Sequence, residues 1–352
     1  MNQDWQNFLA AQSAQIQNGV VGHFGDAAAE RMAAREGTVL CDLGQFGTLR
    51  VSGEEAQSFL QNLLSSDIRE VSNTRAQLSS FSTAKGRMLA SMLIWRQSDD
   101  YLLQLPRALC ESIRKKLSMY VLRSKVKISD ASDEIVTLGL SGNDAQEILR
   151  ARFSELPRAN LGRINTEQGS AIKIGDTRWQ INTSSQNATK FWKEMSNKAR
   201  PVGSTCWDWL NIRSGIPIIL PQTQEQFVAQ MVNLELIGGV NFKKGCYPGQ
   251  EIVARMQYLG KAKRRMYLAH LDCQGHPDSS DAPQAGDELF SAEMEGQSSG
   301  MIVNAAPAPG GGYDMLASVQ ISSRETQSVR WKSPQGAALQ FLPLHYTLPP
   351  AN

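Results

Sequence analysis

One pattern occurs twice in this chain, and it constrains the fold more than any other feature. Thr48-Leu49-Arg50-Val51-Ser52-Gly53-Glu54-Glu55-Ala56-Gln57-Ser58-Phe59-Leu60 aligns with Thr137-Leu138-Gly139-Leu140-Ser141-Gly142-Asn143-Asp144-Ala145-Gln146-Glu147-Ile148-Leu149, with seven of thirteen positions identical. Residues 38–51 read as extended, Leu49 and Val51 alternating with Thr48 and Arg50. Ser52-Gly53-Glu54-Glu55 has the form of a capping box, and Ala56, Phe59, Leu60, Leu63 and Leu64 follow with helical period. After the first copy come strand-like pieces at Gln77–Ser82, Met88–Arg96 and Tyr101–Leu105 and a helix near Ala108–Met119. After the second come Ala171–Ile174, Arg178–Asn182 and a helix near Ala188–Asn197. That order is a split βαββα unit. Strand–cap–helix junctions resemble one another in general, so the competing reading is coincidence. A duplication predicts an α+β chain of two ferredoxin-like (βαββα) lobes meeting at a cleft, where small-molecule sites tend to lie.

Two further segments flank the lobes. Trp5, Phe8, Leu9 and Ile16 have helical spacing and predict an amphipathic helix over 3–17. Beyond Gly260 short apolar runs (Met266–Leu271, Glu288–Phe290, Met301–Val303, Met315–Ile321, Ala338–Leu342) alternate with Gly/Pro/Ser-rich breaks, which predicts a small β-barrel or sandwich. The expected division is therefore 1–260, two interleaved α+β lobes, and 261–352, a C-terminal small β-barrel. Gly310–Gly312 reads as a hairpin loop, because no phosphate-cradling glycine pattern precedes a helix.

Composition excludes several classes. A net charge of +2 over 352 residues does not resemble a DNA-binding arm. Apolar runs such as Ile216–Leu220 are too short to cross a bilayer. The opening Met1-Asn2-Gln3-Asp4-Trp5 has neither a basic leader nor an apolar h-region. Five scattered cysteines without a CxxC argue against a disulfide framework. The expectation is a soluble cytoplasmic protein.

Phe242-Lys243-Lys244-Gly245-Cys246-Tyr247-Pro248-Gly249-Gln250-Glu251, continuing to Arg255, is the stretch richest in chemistry. It sets Cys246 among glycines and a proline, beside two lysines, where a helix should begin; cations and helix N–H groups both favour a thiolate. Lys243, Lys244, Arg255, Lys261, Lys263, Arg264 and Arg265 stand against Glu251 alone. They read as a solvated face or as a cationic rim for a carboxylate-bearing ligand or RNA phosphates. Trp207 and Trp209 on one helix point to different faces, so one of them is free to line a cleft and stack on a flat heterocycle. His270-x-x-Cys273-x-x-His276 lacks a fourth ligand and carries no metal assignment.

Lys244-Gly245-Cys246-Tyr247-x-Gly249-Gln250-Glu251-x-x-x-Arg255 resembles the signature of the YgfZ family, folate-binding proteins implicated in iron–sulfur enzyme maintenance and tRNA modification. Asp42-Leu43-Gly44-Gln45-Phe46-Gly47 through Phe59-Leu60-Gln61 is similar to the start of the related glycine-cleavage T-protein, an aminomethyltransferase. Ala84-Lys85-Gly86-Arg87-Met88, Asn233-Leu234 and Gly238-Gly239 agree with it. The resemblance implies a T-protein-like fold around a central folate channel. It implies tetrahydrofolate or a derivative as ligand, contacted at Phe46, Trp207, Asn233, Tyr247, Gln250 and Glu251. Cys246, with Lys244 and Arg255, is the implied reactive group. Iron–sulfur client enzymes are the implied partners, tRNA indirectly, with no membrane and no DNA.

Two departures accompany the resemblance. Gly86-Arg87-Met88-Leu89-Ala90-Ser91 contains no carboxylate where the aminomethyltransferases carry an aspartate pair. Arg213 stands where the family has a glutamate, and a guanidinium accepts no hydrogen bonds. The favoured function is a folate-binding accessory factor for iron–sulfur enzymes rather than an enzyme. A folate-dependent one-carbon transferase and an RNA-binding module are the rivals.

Overall fold

The computed structural model describes residues 2–260, 262–272, 281–326 and 328–349. The chain forms two compact units, each built from separated segments: 1–60, 68–77 and 93–207 make the first, and 61–67, 78–92 and 208–352 the second.

In the first unit the two copies of the repeat fold alike. Seven-residue strands Phe46–Ser52 and Ile135–Ser141 each run into six-residue helices, Ala56–Gln61 and Ala145–Arg150. The Ser-Gly turn between them places Gly53 at φ 114° and Gly142 at φ 130°. Both turns pass close to other backbone: a Cβ on Gly53 would lie 2.1 Å from Lys125 O, and one on Gly142 2.4 Å from Gly37 O. The capping-box expectation is corrected here. Ser52 ends its strand, and the Glu55 carboxylate instead accepts the Lys125 N–H at 2.6 Å. Leu63 and Leu64 lie beyond the short helix.

The second copy belongs to a six-stranded sheet ordered Arg163–Thr166, Gly169–Lys173, Arg178–Ser184, Ile135–Ser141, Val39–Asp42, Arg200–Val202. Its pairs are antiparallel except the last, where Arg200–Val202 runs parallel to Val39–Cys41. Helix Ser185–Ser196 covers it, contributing Phe191 and Trp192 to a core with Leu138, Leu140, Phe153, Trp179 and Ile181. The first copy pairs antiparallel with Asp100–Pro106 and Lys127–Asp130, and residues 93–97 extend that ladder. Helix Arg107–Ser118 follows, burying Leu109, Ile113 and Leu117 at helical spacing.

The leading helix is shorter than its periodicity predicts. It spans Gln3–Ala11, and Ile16 sits in a hairpin strand, Gln15–Gln17 paired with Val20–His23. Ser13, at φ 69°, turns the chain between them. Trp5 and Leu9, one turn apart, still bury as an amphipathic helix requires.

The second unit ends in a six-stranded antiparallel sheet ordered Arg330–Trp331, Glu288–Phe290, Ser298–Pro307, Tyr313–Gln320, Arg264–Leu271, Gln340–Leu342. Hydrogen bonds from Trp331 N to Ala337 O and from Leu339 N to Val329 O join the segments at its two edges, so the sheet curls on itself. Leu271, Leu289, Ile302, Met315, Val319 and Val329 fill the concave side. Among the described residues no helix is long and apolar enough to cross a membrane.

Candidate functional site

The cysteine motif forms a loop that precedes helix Gln250–Tyr258 in the second unit. Lys244 fixes this loop. Its side chain is buried, and Nζ donates to Gln61 O at 2.6 Å, to Ser66 O at 3.0 Å and to Leu64 O. Three carbonyls use the three N–H groups of the ammonium. Nζ also lies 5.0 Å from the Tyr247 ring centroid, a cation–π contact. Burial of Tyr247 pushes its phenol up to about 12. One of these carbonyls is that of Ser66, a member of a buried hydroxyl cluster: Ser65 Oγ donates to Gly239 O at 2.6 Å and Ser66 Oγ to Ser79 Oγ at 2.7 Å.

A second clamp acts at Gly249. It adopts φ 82°, a left-handed conformation, and a Cβ there would lie 2.5 Å from Gly86 Cα and 2.6 Å from Thr83 O. The turn Thr83–Arg87 and the cysteine loop therefore press together backbone to backbone. Both glycines lie in sequence motifs, but only the fold shows that they touch.

Between these clamps the chain is open. Cys246 is exposed, whereas Cys41, Cys110 and Cys206 are buried. Burial, aided by Asp130, pushes the Cys110 thiol up to about 12. A Cβ on Gly245 would meet nothing within 4 Å. Lys243, Glu251 and Arg255 are exposed and Gln250 is half-buried. The structure thus gathers Lys243, Lys244, Cys246, Tyr247, Gln250, Glu251 and Arg255 on one loop and one helix. Lys244 is a buried anchor there rather than a free cation, so the accessible positive charge is that of Lys243 and Arg255.

Asn233 lies on the same unit, fully buried with φ 56°. Its Nδ2 donates to Met266 O at 2.7 Å and to Tyr346 Oη at 3.3 Å, and its Oδ1 accepts the Met266 N–H at 3.3 Å. The amide is engaged with the strand that opens the C-terminal sheet. Arg213 reaches Asp314 Oδ2 at 3.5 Å, the oxygen that also accepts Trp209 Nε1 at 2.8 Å. His270 Nδ1 pairs with Asp314 Oδ1 at 2.8 Å; its two companions in the sequence triplet, Cys273 and His276, lie outside the described residues. Among the described residues no group of three metal-binding side chains gathers. In the stretch 86–91, Ser91 Oγ donates to Pro217 O at 3.1 Å and accepts from Ile219 N at 3.0 Å.

The aromatic positions Phe46 and Trp207 belong to the first unit. Trp207 corrects the expectation of an exposed ring: it is 2 % exposed. The Arg178 guanidinium sits 4.5 Å from its ring centroid, and a Cβ on Gly139 would come within 2.5 Å of the ring. A glycine in the strand makes room for the indole, and Arg178 lies over its face. Phe46 is half-buried beside a cavity of about 20 Å³ lined also by Trp5, Asp42 and Arg107. That is space for a single water. Asp42 accepts Trp5 Nε1 at 2.8 Å and the Gly44 N–H at 3.1 Å, and its burial pushes the carboxyl up to about 6. The burial of this carboxylate has no signal in the sequence, where Asp42 reads as part of the extended stretch 38–51 and of the T-protein-like segment that begins with it.

Comparison with known proteins supplies the context. The GCVT N-terminal domain model matches residues 21–244. The tRNA-modifying protein YgfZ of Enterobacter sp. (strain 638) is 31% identical over 319 residues, covering 90% of this chain and 95% of that protein. The tRNA-modifying protein YgfZ of Colwellia psychrerythraea is 32% identical over 65% of this chain and 71% of its own length. Among solved structures, the glycine cleavage system aminomethyltransferase T of Bartonella henselae superposes with a TM-score of 0.74 at 13% identity, covering 97% of this chain and 96% of that one. That likeness establishes a mixed α+β T-protein fold. On the match of the domain model and the identity over nearly the whole length, the chain belongs to the family of tRNA-modifying YgfZ proteins.

Proposed function

We propose that this protein is a cytoplasmic folate-binding accessory factor that supports iron–sulfur enzymes, among them enzymes that modify tRNA, with Cys246 as its working thiol. The observation that carries the reading is the exposure of Cys246 on a loop held by two clamps, the Lys244 ammonium and the Gly249–Gly86 contact. An exposed thiol on a braced loop is suited to nucleophilic or redox work, in contrast to the buried Cys110. A single thiol does not provide the ligands of a complete cluster, so cluster chemistry requires the client.

Tetrahydrofolate or a derivative is the proposed ligand, and the residues fit it unevenly. The exposed cations Lys243 and Arg255 fit the carboxylates of a folate tail. The pterin edge finds no acceptor at Arg213, whose guanidinium turns to Asp314. When bound, a reduced folate supplies a one-carbon-carrying nitrogen. The residues that would move a proton to that nitrogen in an aminomethyltransferase are missing from 86–91. We therefore read the protein as a binding factor in preference to a transferase.

The decisive experiment titrates tetrahydrofolate while following tryptophan emission, on wild type and Trp207→Ala, beside a client-enzyme assay with Cys246→Ala. Saturable folate binding together with lost client support in the folded Cys246→Ala protein is the expected result. Full support without the thiol, or no folate binding, sinks the proposal.

A further inference from the structure

A groove of about 730 Å³ lies wholly within the first unit and shares no residue with the expected folate contacts. Its volume suits a ligand of mononucleotide size. Most of the lining residues are polar, among them Arg50, Arg96, Arg163, Glu134, Asn165 and Asn182.

Arg163 is the unusual member. It is 6 % exposed, and among the described residues no carboxylate pairs with it. Its Nη1 donates to Arg96 O, while Nε has no acceptor. Burial draws its pKa down only to about 10, so the guanidinium remains charged at neutral pH. A buried cation without a counter-ion is costly. The Nε–Nη2 edge of a guanidinium is also the edge that grips two oxygens of one oxyanion.

Two neighbours share the same deficit. Asn182 is 6 % exposed; its Oδ1 accepts from Thr137 Oγ1 at 3.3 Å and Gln180 Nε2 at 3.0 Å, which fixes the amide orientation and leaves Nδ2 without an acceptor. Arg96 Nε likewise has none. Native proteins rarely leave buried donors unmatched, and here three such donors come from residues lining one groove. Arg50 does not add to the deficit, since Asp100 at 3.1 Å and Glu134 at 2.7 Å already pair with it.

We infer that this groove is a second ligand site, for a polar small molecule bearing a phosphate or carboxylate group, with Arg163 gripping the oxyanion and Asn182 and Arg96 completing its hydrogen bonds. The inference is independent of the folate reading, because it uses none of the same residues.

The test is isothermal titration of the full chain with inorganic phosphate, adenosine 5′-monophosphate, succinate and, as the neutral comparison, adenosine. At least one anion is expected to bind saturably and more tightly than adenosine; comparing phosphate with succinate assigns the headgroup. Arg163→Gln is expected to weaken that binding about tenfold or more, the scale of a lost charge-assisted contact. Gln97→Glu, at an exposed rim position, keeps the test open should Arg163→Gln fail to fold, and is expected to weaken binding about threefold by repulsion. Absence of saturable anion binding overturns the inference. So does unchanged affinity in a folded Arg163→Gln protein, or in Gln97→Glu where Arg163→Gln does not fold. Equal binding of adenosine and the anions, or binding of an RNA strand alone, overturns it as well.

Discussion

Replacing Gly249 by alanine puts a methyl group where the cysteine loop meets the turn Thr83–Arg87. The new Cβ falls 2.5 Å from Gly86 Cα, 2.6 Å from Gly86 N and 2.6 Å from Thr83 O, and all three are backbone atoms that no rotamer change can remove. The left-handed φ of 82° adds about 1–2 kcal/mol for any residue with a Cβ. Forcing the two segments apart adds about 1–3 kcal/mol by analogy with overpacked cores. The expected loss is therefore about 2–5 kcal/mol, read as a lower urea midpoint at unchanged slope. Two companions calibrate it. Gly86→Ala has φ 71° but its closest contacts are 3.2 Å, so about 1–2 kcal/mol is expected. Gly245→Ala meets nothing within 4 Å and has no left-handed φ, so its effect should stay within about 0.5 kcal/mol. In Gly249→Ala the rate at which Cys246 reacts with a maleimide should also change, measured against a Cys246→Ala background. A Gly249→Ala protein as stable as wild type, or a Gly245→Ala protein equally damaged, refutes the two-clamp account of the loop.

Further outcomes follow from the same contacts. Lys244→Met takes the ammonium away from the carbonyls of Gln61, Leu64 and Ser66 and should lower stability by about 3–5 kcal/mol in urea unfolding; a loss below about 1 kcal/mol would show that the anchor is dispensable. Asp42 titrates near 6 when folded and 3.8 unfolded, so its contribution is complete below pH 3.8 and disappears as pH rises through 6. Stability should fall by about 2 kcal/mol between pH 4 and 6.5 relative to Asp42→Asn, and parallel pH profiles for the two proteins would contradict this. Gly139→Ala drives a methyl group into the Trp207 ring at 2.5 Å, which should cost about 1–3 kcal/mol and shift the tryptophan emission; an unchanged spectrum would argue against that packing. Cys246→Ala should unfold at the wild-type urea midpoint, within about 0.5 kcal/mol, because the side chain is exposed.

The parts of the fold that local sequence dictates were legible. The repeated strand–glycine–helix junction gave two matching elements of equal length, because the Ser-Gly turn and the apolar series are both local signals. The strands beyond Gly260 fell close to their expected positions for the same reason. The leading helix was overextended because Ile16 keeps helical spacing by coincidence while its side chain serves a hairpin. Burial at the site was less accessible. Lys244 reads as one of a row of surface cations, yet carbonyls of residues 61–66 enclose it. Trp207 reads as a candidate for an open cleft, yet Gly139, some seventy positions earlier, provides its seat. Arg163 and Asn182 carry no motif at all; what singles them out is the missing partner, which is a property of three-dimensional neighbours.

The segmented construction of the second unit bears on how the chain is made. Residues 61–67 and 78–92 leave the ribosome well before 208–352, with which they pack. Met88 N awaits Phe227 O, and the carbonyls of Gln61, Leu64 and Ser66 await the Lys244 ammonium. At ordinary elongation rates that delay is on the order of ten seconds. During it Leu64, Phe81 and Leu89, all buried in the finished protein, lack the segment 208–352 that completes their unit. Holding chaperones therefore have a defined window in which to act, and no single cut in the gene would yield either unit whole.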